Sequence, residues 1–107
     1  NTRLDGHIVQ GHIDQTATCT AIKEEGGSKR FSFAYDPSTG NVVIEKGSIT
    51  VNGVSLTVVD ATRDGFSVAV IPYTLAHTNL HRLAVGSVVN LEFDVIGKYV
   101  ARLVQQR

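Results

Sequence analysis

The chain has 107 residues, which suits one domain with a single hydrophobic core. Ten basic and ten acidic residues cancel and are scattered along the chain, so nothing indicates a binding surface for nucleic acid or an anionic membrane. The single cysteine, Cys19, excludes an internal disulfide; we expect a half-buried structural thiol and a cytoplasmic location. No apolar run approaches the roughly 18 residues of a membrane span. The start, which lacks both a methionine and a signal-peptide layout, predicts a processed or excised piece.

Two strands are predicted in the first third of the chain. Residues 8–22 are rich in β-branched side chains and lack a helical period, which indicates a long strand bent near Gly11. A polar stretch with Gly26-Gly27 then turns the chain. The next segment, residues 30–35, alternates cleanly and places three aromatic residues on one side: Phe31, Phe33 and Tyr35. We expect these two strands to pair antiparallel.

The segment that follows, residues 36–40, breaks the alternation with Asp36-Pro37 and Gly40. It could cap a short helical turn over residues 41–45, but three consecutive β-branched residues there argue equally for extended backbone. The sequence leaves both alternatives open.

A hairpin is predicted over residues 46–58, KGSITVNGVSLTV. Alternating strand residues run into Asn52-Gly53, a dipeptide that favours a two-residue turn, and a second alternating run follows at once. Ser55 and Thr57 are two residues apart, so they project from the same face of one strand. Together with Lys46, they mark the face where we expect a ligand.

The last third of the chain predicts two more strands and two helices. Arg63-Asp64-Gly65 indicates a turn before a strand over residues 66–71, which Pro72 ends because it lacks a backbone N–H donor. Residues 73–80 suit a short helix, and 87–93 a final strand. The tail has apolar residues at the spacing of one helix face: Ile96, Tyr99, Val100, Leu103 and Val104.

Short antiparallel strands at close spacing, with brief helical segments between them, predict an all-β fold. We expect a six-stranded antiparallel Greek-key β-barrel over residues 1–94 and a C-terminal helix over 95–107. A β-sandwich is the structural alternative.

The histidines form no convincing metal site. His7 and His12 are five residues apart, so on a regular strand they would point to opposite faces, and the nearby carboxylates of Asp5 and Asp14 have no clear ligand geometry. The other pair, His77 and His81, is four residues apart and would share a face of the short predicted helix as a solvated surface pair. No metal is expected.

Four motifs together resemble a known family. GHIVQGHID, EKGSITVNGVSLTV, VIPYTLAHTNL and GSVVNLEFDVIGKYVARL occur in this order over nearly the whole chain. They closely resemble the C-terminal lumazine-binding barrel of the riboflavin synthase family. The resemblance implies a tandem of two such barrels, a C-terminal helix through which three chains associate, and no metal or organic cofactor. The implied reaction is the dismutation of two 6,7-dimethyl-8-ribityllumazine molecules to riboflavin and a ribitylamino-pyrimidinedione.

The resemblance also implies the site residues. The pteridine ring would be held by backbone amides and hydroxyls, with Leu56 and Ile71 covering its faces. For proton transfer, His12 is the main candidate and His7 the second; Lys46 and Ser55 complete the candidate catalytic set. The substrate-binding residues implied are Gly11, His12, Ile13, Lys46, Ser55, Leu56, Thr57, Ile71, Pro72, Tyr73, Thr74, Leu75 and Ala76.

Each active site in the family pairs the N-terminal barrel of one chain with the C-terminal barrel of another. This chain contains one barrel, so the expected behaviour is binding of lumazine or riboflavin with little activity alone. A non-catalytic antenna-type carrier is the alternative.

Overall fold

The computed structural model describes residues 13–93. Its six strands are β1 (Gln15–Glu25), β2 (Ser28–Ala34), β3 (Ser48–Val51), β4 (Val54–Thr62), β5 (Gly65–Val70) and β6 (Val88–Phe93). One α-helix, α1 (Pro72–His77), and two 3₁₀ segments, Pro37–Thr39 and Asn79–Arg82, complete the described part of the chain.

The strands close into a barrel in the order β1-β2-β5-β4-β3-β6. Every neighbouring pair is antiparallel, and β6 returns to β1 with Leu91 opposite Gln15. Closure leaves no strand at an open edge within residues 13–93, although the first residues of β4 are not paired with β5. The prediction of a six-stranded antiparallel barrel is therefore confirmed, and the sandwich alternative is wrong.

Aromatic side chains fill the barrel on one side. The alternation predicted for β2 places Phe31, Phe33 and Tyr35 inside, where all three are buried. The ring of Phe33 lies 5.3 Å from that of Phe66, and Tyr35 meets Phe93 edge-on at 5.5 Å. Ring contacts of this kind add stability beyond the area that they bury.

Strand β5 packs very close to β2 at its first residue. A Cβ atom on Gly65 would lie 2.7 Å from the carbonyl oxygen of Phe33, closer than van der Waals contact allows. Only glycine therefore permits this approach.

The segment left open by the sequence contains a helical turn, but earlier than residues 41–45. It is the 3₁₀ segment Pro37–Thr39, and residues 41–44 belong to no helix or strand. The Asp36 carboxylate accepts a hydrogen bond from the Ser38 N–H at 2.9 Å, which caps the turn and lowers the pKa of Asp36. Gly40 ends the turn with a φ of 85°.

The predicted helix over residues 73–80 is divided in two. Helix α1 starts at Pro72, as expected for a proline in the first turn, and ends at His77. Thr78 is extended, and its hydroxyl accepts a hydrogen bond from the Leu80 N–H at 3.3 Å, so it begins the second 3₁₀ segment. Within residues 13–93, no helix is long and apolar enough to cross a membrane.

Two predictions lie outside the described residues. These are the start of the first strand with its bend near Gly11, and the helix over residues 95–107.

Cys19 is fully buried rather than half-buried, with 1% of its surface exposed. Burial raises the pKa of its thiol, and a hydrogen bond to the Ala21 carbonyl oxygen only partly offsets this. The thiolate therefore forms more readily in the unfolded chain than in the barrel. The thiol's contribution to stability is complete below the unfolded pKa, near 9.0, and is lost as the pH rises through the higher folded pKa.

We expect the free energy of unfolding to fall between pH 7.5 and 10, and to fall less in a Cys19→Ala variant. Denaturant unfolding at both pH values measures this difference. Burial also raises the pKa of Tyr35. Because Tyr35 is present in both proteins, its effect on the free energy of unfolding is the same in both and cancels in the comparison. An equal loss of stability in both proteins would contradict the role of the thiol.

Candidate functional site

The hairpin of β3 and β4 is built as the sequence predicts. Asn52 and Gly53 take φ angles of 48° and 83°, the left-handed conformation at both central positions that a type I′ turn requires. The turn is also attached to its surroundings. The Asn52 N–H donates to the Asn90 carbonyl oxygen at 2.9 Å, and the Asn90 N–H donates to the Asn52 side-chain oxygen at 2.8 Å. On the other side, the Asn79 amide donates to the Asn52 carbonyl oxygen at 3.3 Å.

These three asparagines hold the hairpin against β6 and the second 3₁₀ segment. Their role was not predictable from the sequence, because only the Asn-Gly dipeptide gives a local signal. The side-chain bonds depend on which strands become neighbours.

Ser55 and Thr57 point outwards from the barrel. Val54, Leu56 and Val58 alternate with them and are buried, while Ser55 is half-buried and Thr57 exposed. Across the hairpin, Ser55 lies opposite Thr50, and Thr57 opposite Ser48. The outer face of the hairpin therefore carries four hydroxyl groups side by side.

Strand β4 has an unpaired stretch beside this face. The Val58 N–H donates to the Gly47 carbonyl oxygen at 2.9 Å, and the Val58 carbonyl oxygen accepts from the Lys46 N–H at 2.9 Å. Both backbone groups of Val58 therefore point towards the β3 side. In an antiparallel sheet, alternate residues of a strand hydrogen-bond to the same neighbouring strand. Ser55 is three residues from Val58, so its N–H and C=O point away from β3, towards β5. The pairing with β5 starts only at Val58. The Ser55 backbone groups therefore lie where a planar, carbonyl-rich ring could bind.

Lys46 stands at the edge of the same hairpin. Its backbone is left-handed, with a φ of 68°, and its side chain is exposed. It makes no ion pair with any of residues 13–93. The ammonium group is thus available to a negatively charged or carbonyl-bearing ligand.

The segment from Ile71 to Ala76 leaves the barrel next to the unpaired stretch. The β4–β5 pairing ends at Val58 and Val68; if its register continued, Ile71 would lie opposite Ser55. Ile71 and Tyr73 are unusually exposed for large apolar residues, at 54% and 45%. Such exposure next to polar groups is typical of a ligand-binding surface.

The other members of this segment have different surroundings. Thr74 is buried, and its carbonyl oxygen accepts a hydrogen bond from the Thr78 hydroxyl at 2.6 Å. Leu75 packs against the core, whereas Pro72 and Ala76 are exposed.

The expected contact of Leu56 with the ring stays a prediction. Its side chain points into the core and is 8% exposed. Ile71 keeps an exposed side chain, so it remains available for such a contact.

His77 and His81 do not share a helix face. His77 lies in α1 and His81 in the second 3₁₀ segment, because the extended Thr78 separates the two. The expectation that they share one helix face is therefore wrong, although both side chains are exposed as expected. The Nδ1 of His77 lies 2.8 Å from the Tyr73 carbonyl oxygen, and that of His81 lies 2.7 Å from the Thr78 carbonyl oxygen. A carbonyl only accepts, so Nδ1 carries the proton in both rings and Nε2 faces away from these bonds.

Three candidates lie outside the described residues: His7, Gly11 and His12. Ile13, the first described residue, is 55% exposed. Asp14 accepts a hydrogen bond from the Phe93 N–H at 2.7 Å, which ties the chain before β1 to the end of β6. Within residues 13–93, no three His, Cys, Asp or Glu side chains come together as metal ligands.

Comparison with known proteins identifies the family. The family model described as Lumazine binding domain matches residues 10–94. Riboflavin synthases are similar to the chain: that of Actinobacillus pleuropneumoniae is 43% identical over all of it, and that of Bacillus subtilis 42% identical over 99%. The enzyme of Mycobacterium tuberculosis is 46% identical over 97%. The chain covers 50%, 49% and 53% of these proteins, about half of their length.

Solved structures of a protein named LumP share the fold. LumP in complex with flavin mononucleotide has a TM-score of 0.72 at 26% identity, over 80% of this chain and 49% of LumP. LumP with 6,7-dimethyl-8-(1′-D-ribityl) lumazine has a TM-score of 0.68 at 26% identity, over 78% of this chain and 46% of LumP. The barrel, the matched range and these relatives lead to one conclusion: the chain belongs to the lumazine-binding domain family and matches about half the length of these riboflavin synthases.

Proposed function

We propose that this chain is the C-terminal barrel of a riboflavin synthase and binds 6,7-dimethyl-8-ribityllumazine and riboflavin on the outer face of the β3–β4 hairpin. The observation that carries the proposal is the outward hairpin face of Ser55 and Thr57 with the exposed Lys46 at its edge, together with the exposed Ile71 that follows β5. Hydroxyls and backbone groups suit the carbonyls and nitrogens of the ring, and the apolar side chain suits its face.

The reaction of the complete enzyme is a transfer of four carbons. One lumazine gives up a four-carbon unit and becomes 5-amino-6-ribitylamino-pyrimidinedione, and the other receives it and becomes riboflavin. The C7 methyl group of lumazine must lose a proton, for which His12 is our main candidate and His7 the second. Lys46 would stabilise negative charge that develops on the ring, and Ser55 would orient the ring.

Two bound rings must also lie close together for carbon–carbon bond formation, so proximity carries much of the rate. The second ring would come with an N-terminal barrel. We therefore propose that this barrel acts as half of a site, within a cytoplasmic trimer whose chains associate through a helix over residues 95–107. In the barrel, β5 and β4 lie between β2 and β3, so the connection from β2 to β3 crosses two strands. This crossing supports the Greek-key connectivity proposed for the barrel.

A fluorescence titration of the 107-residue chain with 6,7-dimethyl-8-ribityllumazine tests the proposal. We expect saturable binding and almost no riboflavin. Turnover at about 1 per second or more, a typical enzymatic rate, would contradict the half-site, and an absence of binding would contradict the ligand.

A non-catalytic ligand carrier is the second candidate, favoured by the similarity to LumP. Fusion of the N-terminal half of the Bacillus subtilis enzyme before residue 1 separates the two. A riboflavin synthase half should form riboflavin in the fusion, whereas a carrier should bind ligand without forming it.

A further inference from the structure

The outer face of β5 is sunken. Phe66, Val68 and Val70 point into the core, so the outward positions of this strand belong to Gly65, Ser67 and Ala69. All three are small, as are Ser32 and Ala34 on the adjacent β2, while Asp60 and Thr62 on β4 are longer. The result is a cleft of about 470 Å³, which we call the β5 cleft. The residues that matter for its chemistry are Ser32, Asp60, Thr62, Asp64 and Ser67.

An ion pair crosses β5 at one end of this cleft. Arg30 on β2 lies opposite Ala69, and Asp60 on β4 lies opposite Ser67. The Arg30 guanidinium reaches over β5 and donates to the Asp60 carboxylate. It also lies 3.8 Å from the carboxylate of Glu25. The pair separates the β5 cleft from a smaller one of about 260 Å³ that Lys23 and Glu25 help to line.

Ser67 is the unusual residue in the cleft. Its side chain points outwards, yet only 6% of the residue is exposed. Its hydroxyl makes no hydrogen bond with any of residues 13–93. Every fully enclosed side-chain nitrogen or oxygen in that range has a partner, so the Ser67 oxygen must be accessible from at least one of the two clefts, both of which Ser67 lines. A nearly buried hydroxyl without a protein partner indicates a place for an external one.

The charge of the lining residues limits what that partner can be. Asp60 and Asp64 both line the cleft, and none of its lining residues is basic. The Thr62 hydroxyl lies 3.4 Å from the Asp64 carboxylate, so it leaves most of the acceptor positions on that carboxylate open. Carboxylates accept strong, charge-assisted hydrogen bonds from cationic N–H groups.

We propose that the β5 cleft binds a small organic cation, an amidinium or ammonium compound, whose N–H groups donate to Asp60, Asp64 and Ser67. The cleft lies on β2, β5 and the second half of β4, so this site is distinct from the hairpin face and does not depend on the proposed function. Arg30 competes with the ligand for Asp60.

Benzamidine is the probe, because its planar amidinium can bond a carboxylate through two parallel hydrogen bonds. Benzamide has nearly the same shape without the charge and serves as the control ligand. The amide resonances of Ser32, Gly65 and Ser67 are followed by NMR while the 107-residue chain is titrated at low ionic strength, since salt screens exposed charges. We expect benzamidine to shift these resonances saturably, with a dissociation constant of about 1–10 mM, and benzamide to leave them unchanged. Equal shifts with benzamide, or shifts that never saturate, would overturn the proposal.

Three variants test the roles of the charges. An Asp64→Asn variant should weaken benzamidine binding by about three- to fivefold, the effect of one exposed ion pair. Because Arg30 competes for Asp60, Arg30→Gln should instead tighten binding by a similar factor. Glu24→Gln removes one negative charge outside the cleft and should change nothing. Weaker binding in Arg30→Gln, or an equal loss in Asp64→Asn and Glu24→Gln, would contradict the site.

Discussion

A Ser55→Ala, Thr57→Ala double variant should lose affinity for 6,7-dimethyl-8-ribityllumazine by about 5- to 150-fold. Each hydroxyl points outwards, and each would contribute one hydrogen bond to the ligand of about 0.5–1.5 kcal/mol. Neither hydroxyl makes a hydrogen bond with the described residues, so the barrel should keep its stability. Fluorescence titration gives the affinity, and thermal unfolding confirms the fold.

The matched control is a Thr18→Ala, Thr20→Ala variant. These exposed threonines lie on β1, which is separated from β4 by β3 and β6. We expect the control to bind ligand normally. An unchanged affinity in the hairpin variant, or an equal loss in both variants, would show that the ligand binds elsewhere on the barrel.

A Phe33→Ala variant should lower the free energy of unfolding by about 3–5 kcal/mol. Phe33 is 2% exposed, and its ring contacts those of Phe31 and Phe66. Alanine would leave a cavity at the point where Gly65 brings β5 against β2, and this close approach limits how far the backbone can collapse to fill it. A loss of this size is a large fraction of the roughly 5–15 kcal/mol that stabilises a typical domain. Urea unfolding measures it.

Val88→Ala is the control for this truncation. Val88 is also an apolar strand residue, but 66% of it is exposed. We expect a loss below about 1 kcal/mol, within the range of strand propensity. If both variants lost the same stability, the aromatic cluster would not be the centre of the core.

Local patterns were sufficient to predict most of the elements. The Asn52-Gly53 turn followed from the need for positive φ at both central positions, and the inward side of β2 followed from the alternation of Phe31 and Phe33. The same alternation implied that Leu56 points away from Ser55 and Thr57. The expected contact of the Leu56 side chain with a ligand ring is at odds with that implication and stays a prediction.

The predicted helix after Pro72 shows where local patterns stop being sufficient. Its residues suit a helix up to Leu80, but the Thr78 hydroxyl satisfies the Leu80 N–H and begins a new turn. A side chain that bonds nearby backbone competes with the helix, and periodicity does not reveal which bond is preferred.

By itself, the sequence determined the class of fold, the hairpin and the outward face that carries Ser55 and Thr57, because these depend on neighbours within a few residues. The tertiary structure decided which strands lie side by side. Closure in the order β1-β2-β5-β4-β3-β6 brings Asn90 to the hairpin turn and lets Arg30 reach Asp60 across β5. These contacts join residues 38 and 30 positions apart. Only the order of the strands in the barrel brings such distant residues together, since no local pattern encodes their pairing.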